Sequence, residues 1–176
     1  MVETLIVDGY NILSAFAAHG LVDSEDIDRA RFQLINLLTS SAAYWGMRLV
    51  VVFDAMHVPG GVEREEIIGP CAKVVFSAEG VSADTVIESI IAELARTERL
   101  VIATSDRAEH TYAFGKGASR WPARELFNRV RIAQIEMKEQ QTPARVHHTL
   151  HGRLNPGVLA VFDRLRLESV EPKKGK

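Results

Sequence analysis

The sequence predicts an α/β domain with a central parallel sheet of about four to five strands, flanked by helices on both faces. Three observations lead there. Apolar runs rich in β-branched residues occur at Leu5-Ile6-Val7, Leu49-Val50-Val51-Val52-Phe53 and Leu100-Val101-Ile102, as expected of strands buried on both sides. Stretches with helical spacing separate them, and strands alternating with helices imply parallel pairing through crossovers. Each run also ends on or close to an aspartate: Asp8, Asp54 and Asp106. Ligand crevices of open α/β sheets lie outside the carboxyl ends of the strands, so three carboxylates there are hard to explain as packing alone.

The first strand is expected from about Glu3 to Asp8. Gly9 then lets the backbone turn sharply, and a short turn or helix runs through Ala18. Asn11 stands where that helix would open and can read as its cap. Gly20 to Ser24 reads as a loop. Ser24 caps the next helix, with Glu25, Asp26 and Asp28 favourably placed against the positive end of its dipole. Ile27, Ala30, Arg31, Leu34, Leu37 and Leu38 recur at helical spacing and carry that helix to about Trp45, where Gly46 stops it. Arg48 to Asp54 forms the second strand.

Ala55 to Pro70 reads as a loop, bent at Pro59-Gly60-Gly61 and carrying the charged run Glu63-Arg64-Glu65-Glu66. Lys73 to Phe76 is a short third strand. Ser82 or Asp84 caps a helix through Arg96, Leu100 to Ser105 is the fourth strand, and Arg107 to Phe114 a helix behind it. Gly115 to Ser119 is a turn or a short edge strand, and Ala123 to about Lys138 a long helix. A polar stretch then leads to a helix opening at Asn155-Pro156, and a basic tail ends the sequence at Lys176. Residues 1–140 thus form the main domain, and 141–176 an extension whose single helix packs on it.

The 176 residues suit one domain with a sizeable core, and 47% hydrophobic with 25% charged residues is ordinary for a globular protein. Cys71 is the only cysteine, which excludes an internal disulfide and a Cys-based zinc cluster; it reads as a buried, inert thiol. No basic segment followed by a long apolar stretch opens the sequence, so no signal peptide is expected. No apolar run nears the ~20 residues that span a bilayer, and the cytosol is the expected compartment. Net charge is −2, yet residues 1–106 carry −9 and the remainder +7. That asymmetry suits a polyanionic partner for the basic part; solvated helix faces account for it as well.

Asp84 and Glu88 stand four residues apart, on one face of the expected helix. Carboxylates gathered at one mouth repel each other, and a hard divalent cation removes that cost. Mg²⁺ prefers oxygen ligands and commonly takes one or two carboxylates plus substrate phosphate. Such an ion activates water and offsets charge on the attacked phosphate. With no serine triad in view, metal-assisted hydrolysis is the economical chemistry.

These residues carry a resemblance. Asp8-Gly9-Tyr10-Asn11, Phe53-Asp54-Ala55, Ala83-Asp84-Thr85-Val86-Ile87-Glu88 and Thr104-Ser105-Asp106 match, in order and spacing, the NYN-domain family, most closely its YacP-like branch. The match extends through Phe114-Gly115-Lys116-Gly117-Ala118 and Ala123-Arg124-Glu125-Leu126. The resemblance implies a PIN-like fold, Mg²⁺- or Mn²⁺-dependent cleavage of RNA and, in at least part of the family, association with the translating ribosome. It also implies that Asp8, Asp84 and Asp106 are the metal-site carboxylates, that Asn11 orients a ligand or a water, and that Asp54 and Glu88 lie at the ion or directly behind its ligands. Ser105 and Thr104 offer hydroxyls to the same mouth.

Competing roles stand beside each of these. Asp8 and Asp84 also suit helix caps, Asp54 also suits loop amides, and Glu88 alone suits a solvated helix face. Tyr10 stacks on a base or packs at the rim. Arg107, Lys116, Arg120 and Arg124 form either a phosphate-binding group or an ordinary basic surface. His147, His148 and His151 fit a polar loop or RNA contacts better than a metal site, and Trp45 and Trp121 fit the core. The expectation is therefore a metal-dependent endoribonuclease acting on mRNA, a monomer or weak dimer without a membrane. The alternative is a noncatalytic RNA- or ribosome-binding module. A haloacid-dehalogenase-type phosphatase fits poorly, because Asp8-Gly9-Tyr10 lacks the second aspartate of its Asp-x-Asp pair.

Overall fold

The computed structural model describes residues 2–23, 25–55, 61–105 and 117–141. The chain divides into two compact units, Met1–Glu139 and Gln140–Lys176. The expected helix after Asp106, the helix at Asn155 and the basic tail all lie outside the described residues.

The described elements are, in chain order, β1 (Glu3–Asp8), α1 (Gly9–Ala18), α2 (Ile27–Trp45), β2 (Arg48–Phe53), β3 (Arg64–Ile68), β4 (Ala72–Phe76), α3 (Ala83–Leu94), β5 (Arg99–Ala103), β6 (Ser119–Trp121) and α4 (Ala123–Gln141). Six strands form one sheet in the order β3-β4-β2-β1-β5-β6. Every neighbouring pair is parallel except β3 with β4. The sheet is thus a parallel core with one antiparallel edge, one strand larger than expected.

Alternation along the strands sends side chains to two separate layers. Leu5, Val7, Leu49, Val51, Phe53, Val74 and Val101 pack with residues of α1, α2 and α4, including Ile12, Phe16, Leu34, Leu38, Leu126 and Val130. Ile6, Val50, Val52, Val75, Leu100 and Ile102 pack against Val86, Ile87 and Ile91 of α3. Central strands buried on both faces explain why their sequences are continuous apolar runs.

Three local readings are corrected. The cap of α2 is Asp26, whose side chain accepts from the Asp28 and Arg29 N–H groups; Ser24 lies outside the described residues. The stretch read as a loop contains β3, paired in register from Arg64 opposite Phe76 to Ile68 opposite Ala72. Its Arg-Glu-Glu-Ile-Ile sequence hides the strand because four of its five residues are exposed at a sheet edge, where charged side chains also block pairing with other chains. Cys71 is half-buried rather than buried. Gly46 ends α2 as expected, with φ of 70° in the left-handed region that a glycine enters without strain.

Gly9 is a glycine for a different reason than a sharp turn. Its φ is not among the positive ones, and it is the first residue of α1. A Cβ there would stand 2.5 and 2.6 Å from ring carbons of Phe53 and 2.8 Å from the Val52 carbonyl oxygen. The missing side chain lets α1 start against β2.

Candidate nuclease site

Parallel pairing brings the carboxyl ends of β1, β2, β4 and β5 to one end of the sheet. Asp8 closes β1 at the centre, and Asp54 follows β2 beside it. The short segment 77–82 carries the chain from β4 into α3, which opens at that same end with Asp84 in its first turn. Asp8 shares the strand parity of Ile6, the side of the sheet that α3 covers. Topology alone thus puts Asp8, Asp54 and Asp84 at one end of the sheet. Asp84 and Glu88 are both exposed on α3, one turn apart.

The caps settle two alternatives. Ser82, not Asp84, caps α3 by accepting from the Thr85 N–H at 3.3 Å, so the Asp84 carboxylate is not engaged in closing its own helix. Asp8 does cap α1, its Oδ1 accepting from the Asn11 N–H at 3.2 Å. Asn11 is therefore inside the helix, not its cap.

Asn11 reaches across to β5 instead. Its Oδ1 accepts from the Ser105 N–H at 2.9 Å. On the other side Arg120 of β6 donates through Nε and a terminal nitrogen to the Thr104 carbonyl oxygen, at 3.3 and 3.1 Å. That carbonyl and that N–H belong to one peptide unit, the one joining Thr104 to Ser105, so a single peptide plane is held at both of its polar atoms. Ser77, fully buried, similarly ties the start of the next loop by accepting from the Ala55 N–H at 2.9 Å. An Asn11→Ala protein is expected to lose about 1 kcal/mol of stability in urea titrations, the worth of one hydrogen bond. The Ser105 amide should exchange with solvent faster; unchanged exchange would show that this clamp does not operate in solution.

Asp106, Arg107 and Lys116 lie outside the described residues. Among the described residues no group of three or more His, Cys, Asp or Glu side chains is arranged to hold a metal ion. Arg124 is exposed on α4, whereas Arg120 is half-buried and engaged with Thr104. Tyr10 packs edge-on against Phe53, ring centroids 5.1 Å apart, and its hydroxyl accepts from Arg31 at 3.2 Å. Trp45 and Trp121 pair edge to face at 5.6 Å, in line with a packing role.

Sequence reasoning missed Ser77, Arg31, Arg64 and Phe76. Nothing in the local pattern of these residues marks them, since each matters through a partner on another element.

A parallel sheet with carboxylates at the mouth of its central strands and at the adjoining helix start places the chain among PIN-like, nuclease-type α/β domains. The sequence profile of the YacP-like NYN domain matches residues 5–167, and the chain belongs to that family. The protein YacP of Bacillus subtilis (strain 168) is 31% identical over 171 residues, covering 93% of this chain and 96% of that protein. The crystal structure of Rae1 (YacP) from Bacillus subtilis superposes with a TM-score of 0.66 at 30% identity, over 95% of this chain and 96% of that one. A crystal structure of a mutant of Rae1 gives 0.64 at 30% identity, over 78% and 80%.

Proposed function

We propose that this chain is a metal-dependent endoribonuclease that hydrolyses phosphodiester bonds of mRNA, with the translating ribosome as its partner. The observation that supports it most is the placement of Asp8 and Asp84 at one end of a PIN-like sheet, in a chain of the YacP-like NYN family. A surface that only binds RNA gains nothing from carboxylates that repel phosphates.

The donors fit a hard cation. Asp8 and Asp84 present oxygen ligands, and Mg²⁺ or Mn²⁺ commonly needs only one or two carboxylates beside substrate phosphate. Asp8 and Asp84 would hold the ion together with Asp106, with Asp54 and Glu88 as the reserve carboxylates at the same end of the sheet. Such an ion supplies Lewis acidity toward phosphate and acidifies water. The chain's own contribution is placement. Asp8 is anchored by capping α1, and the Thr104–Ser105 peptide is fixed by Asn11 and Arg120. In-line displacement in such a site leaves 5′-phosphate and 3′-hydroxyl ends. No helix among the described residues is long and apolar enough to cross a membrane.

The test is metal removal. Full-length protein is incubated with single-stranded RNA, and separately with ribosomes translating an mRNA, in Mn²⁺ and then with excess EDTA. Cleavage is expected in Mn²⁺, at least on the ribosome, with loss in EDTA and recovery when Mn²⁺ is restored. RNA bound but uncut in every condition would make the chain a binding module.

A further inference from the structure

On the α2 side of the same sheet end, β2, β4 and β3 build a ladder across the strands. Phe53 is in register with Phe76, and Phe76 with Arg64. The two rings stack at 5.7 Å with 21° between their planes, and the Arg64 guanidinium lies 4.7 Å from the Phe76 centroid. Arg31 approaches the same ring from α2 at 6.0 Å. Tyr10, Arg31, Asp54, Arg64 and Phe76 line a groove of about 250 Å³.

We infer that this groove is an RNA subsite for one unpaired nucleotide, its base against Phe76 and Tyr10 and its phosphate on Arg31 and Arg64. The inference rests on RNA being the substrate. Aromatic faces accept any base, and a planar guanidinium already occupies the position over Phe76 that a base plane would take. Arg64 is 64% exposed and paired with Glu66 at 2.8 Å, so it can swing from the ring to a phosphate without unpacking the core. Arg31 is 29% exposed and held in place by Tyr10 and Asp28. Burial would lower its pKa, but hydrogen bonding to the Asp28 carboxylate, with Tyr10 alongside, keeps it above the ordinary arginine value. It is a preset cation, and a fork suited to phosphate.

The location gives the subsite its place on the strand. Phe76 lies on β4, two strands from Asp8 on β1, roughly 10 Å at ordinary strand spacing. The groove therefore takes a nucleotide neighbouring the cleaved bond, not the bond itself, and Asp54 lines it. At about 250 Å³ it is smaller than pockets enclosing drug-sized ligands, as suits a single base.

The test measures binding of a fluorescent single-stranded oligoribonucleotide to the full chain by anisotropy in EDTA, so that cleavage plays no part. Arg31→Gln with Arg64→Gln is expected to weaken binding about tenfold or more, and to reduce the slope of log affinity on log salt by about 1.4, two phosphate contacts' worth. Phe76→Leu should weaken it about tenfold with the salt slope unchanged, the mark of stacking lost rather than charge. Arg64→Gln alone, at an exposed position, keeps the test valid should a buried change disturb folding; it should lose about half of the salt effect. Wild-type affinity and salt slope in the arginine variants would overturn the subsite even where wild-type protein cleaves RNA in Mn²⁺. Conversely, weakened binding in these variants of a protein that never cleaves would support the subsite and sink the nuclease.

Discussion

Asp84→Asn is expected to reduce RNA cleavage about a thousandfold, equivalent to ~4 kcal/mol of lost transition-state stabilisation, while the fold remains intact. Asp8→Asn should do the same. The two substitutions test one idea against different structural backgrounds. Asp84 does not cap α3, because Ser82 does, so its charge contributes at most the helix-dipole effect of roughly 0.3–1 kcal/mol. Asp8 caps α1, but asparagine caps as well as aspartate, so Asp8→Asn should also keep near-wild-type stability. Cleavage rates with Mn²⁺, read beside urea midpoints, separate chemistry from folding. Glu88→Gln, one turn further along α3, should cost less than either. Folded Asp8→Asn and Asp84→Asn proteins that both cleave at the wild-type rate would remove the proposed centre.

Gly9→Ala should destabilise the domain by about 3 kcal/mol, at the upper end of overpacking costs. The added methyl would fall 2.5 Å from Phe53 and 2.8 Å from the Val52 carbonyl oxygen, neither of which can retreat cheaply. Phe53 is fully buried, stacked on Phe76 and edge-on to Tyr10, and Val52 is part of a central strand. Combining Gly9→Ala with Phe53→Leu should recover part of the loss, since the shorter side chain vacates the space; that coupling would show in a double-mutant cycle. An unchanged urea midpoint for Gly9→Ala would mean that α1 and β2 do not meet as closely as described.

The central strands and most helices were legible because each is written locally. Continuous apolar runs announce β1, β2 and β5, and periodic apolar positions announce α2, α3 and α4. That Asp8, Asp54 and Asp84 fall at one end of the sheet was legible too, since strand ends in a parallel sheet lie together whatever their sequence separation. What failed depended on partners. Gly9 looks like a turn glycine until Phe53 is placed against it. Asn11 looks like a cap until Ser105, far along the chain, comes to its side chain. β3 has neither alternation nor an apolar run, because an edge strand exposed over most of its length has no reason for them. Arg31 falls in the same periodic series as Ala30 and Leu34, and nothing short of the folded sheet shows that it overlooks Phe76.

The doubly tethered peptide between Thr104 and Ser105 bears on how basic-residue variants are to be interpreted. That amide is gripped at oxygen and at nitrogen by groups from different elements, so both of its polar atoms are tied. Cutting the Arg120 tether would loosen the chain at Thr104 and Ser105, an effect separate from the loss of one positive charge. An inactive Arg120→Ala protein that still holds RNA with an undiminished ionic-strength dependence would thus report a slackened hinge, not a missing electrostatic handle.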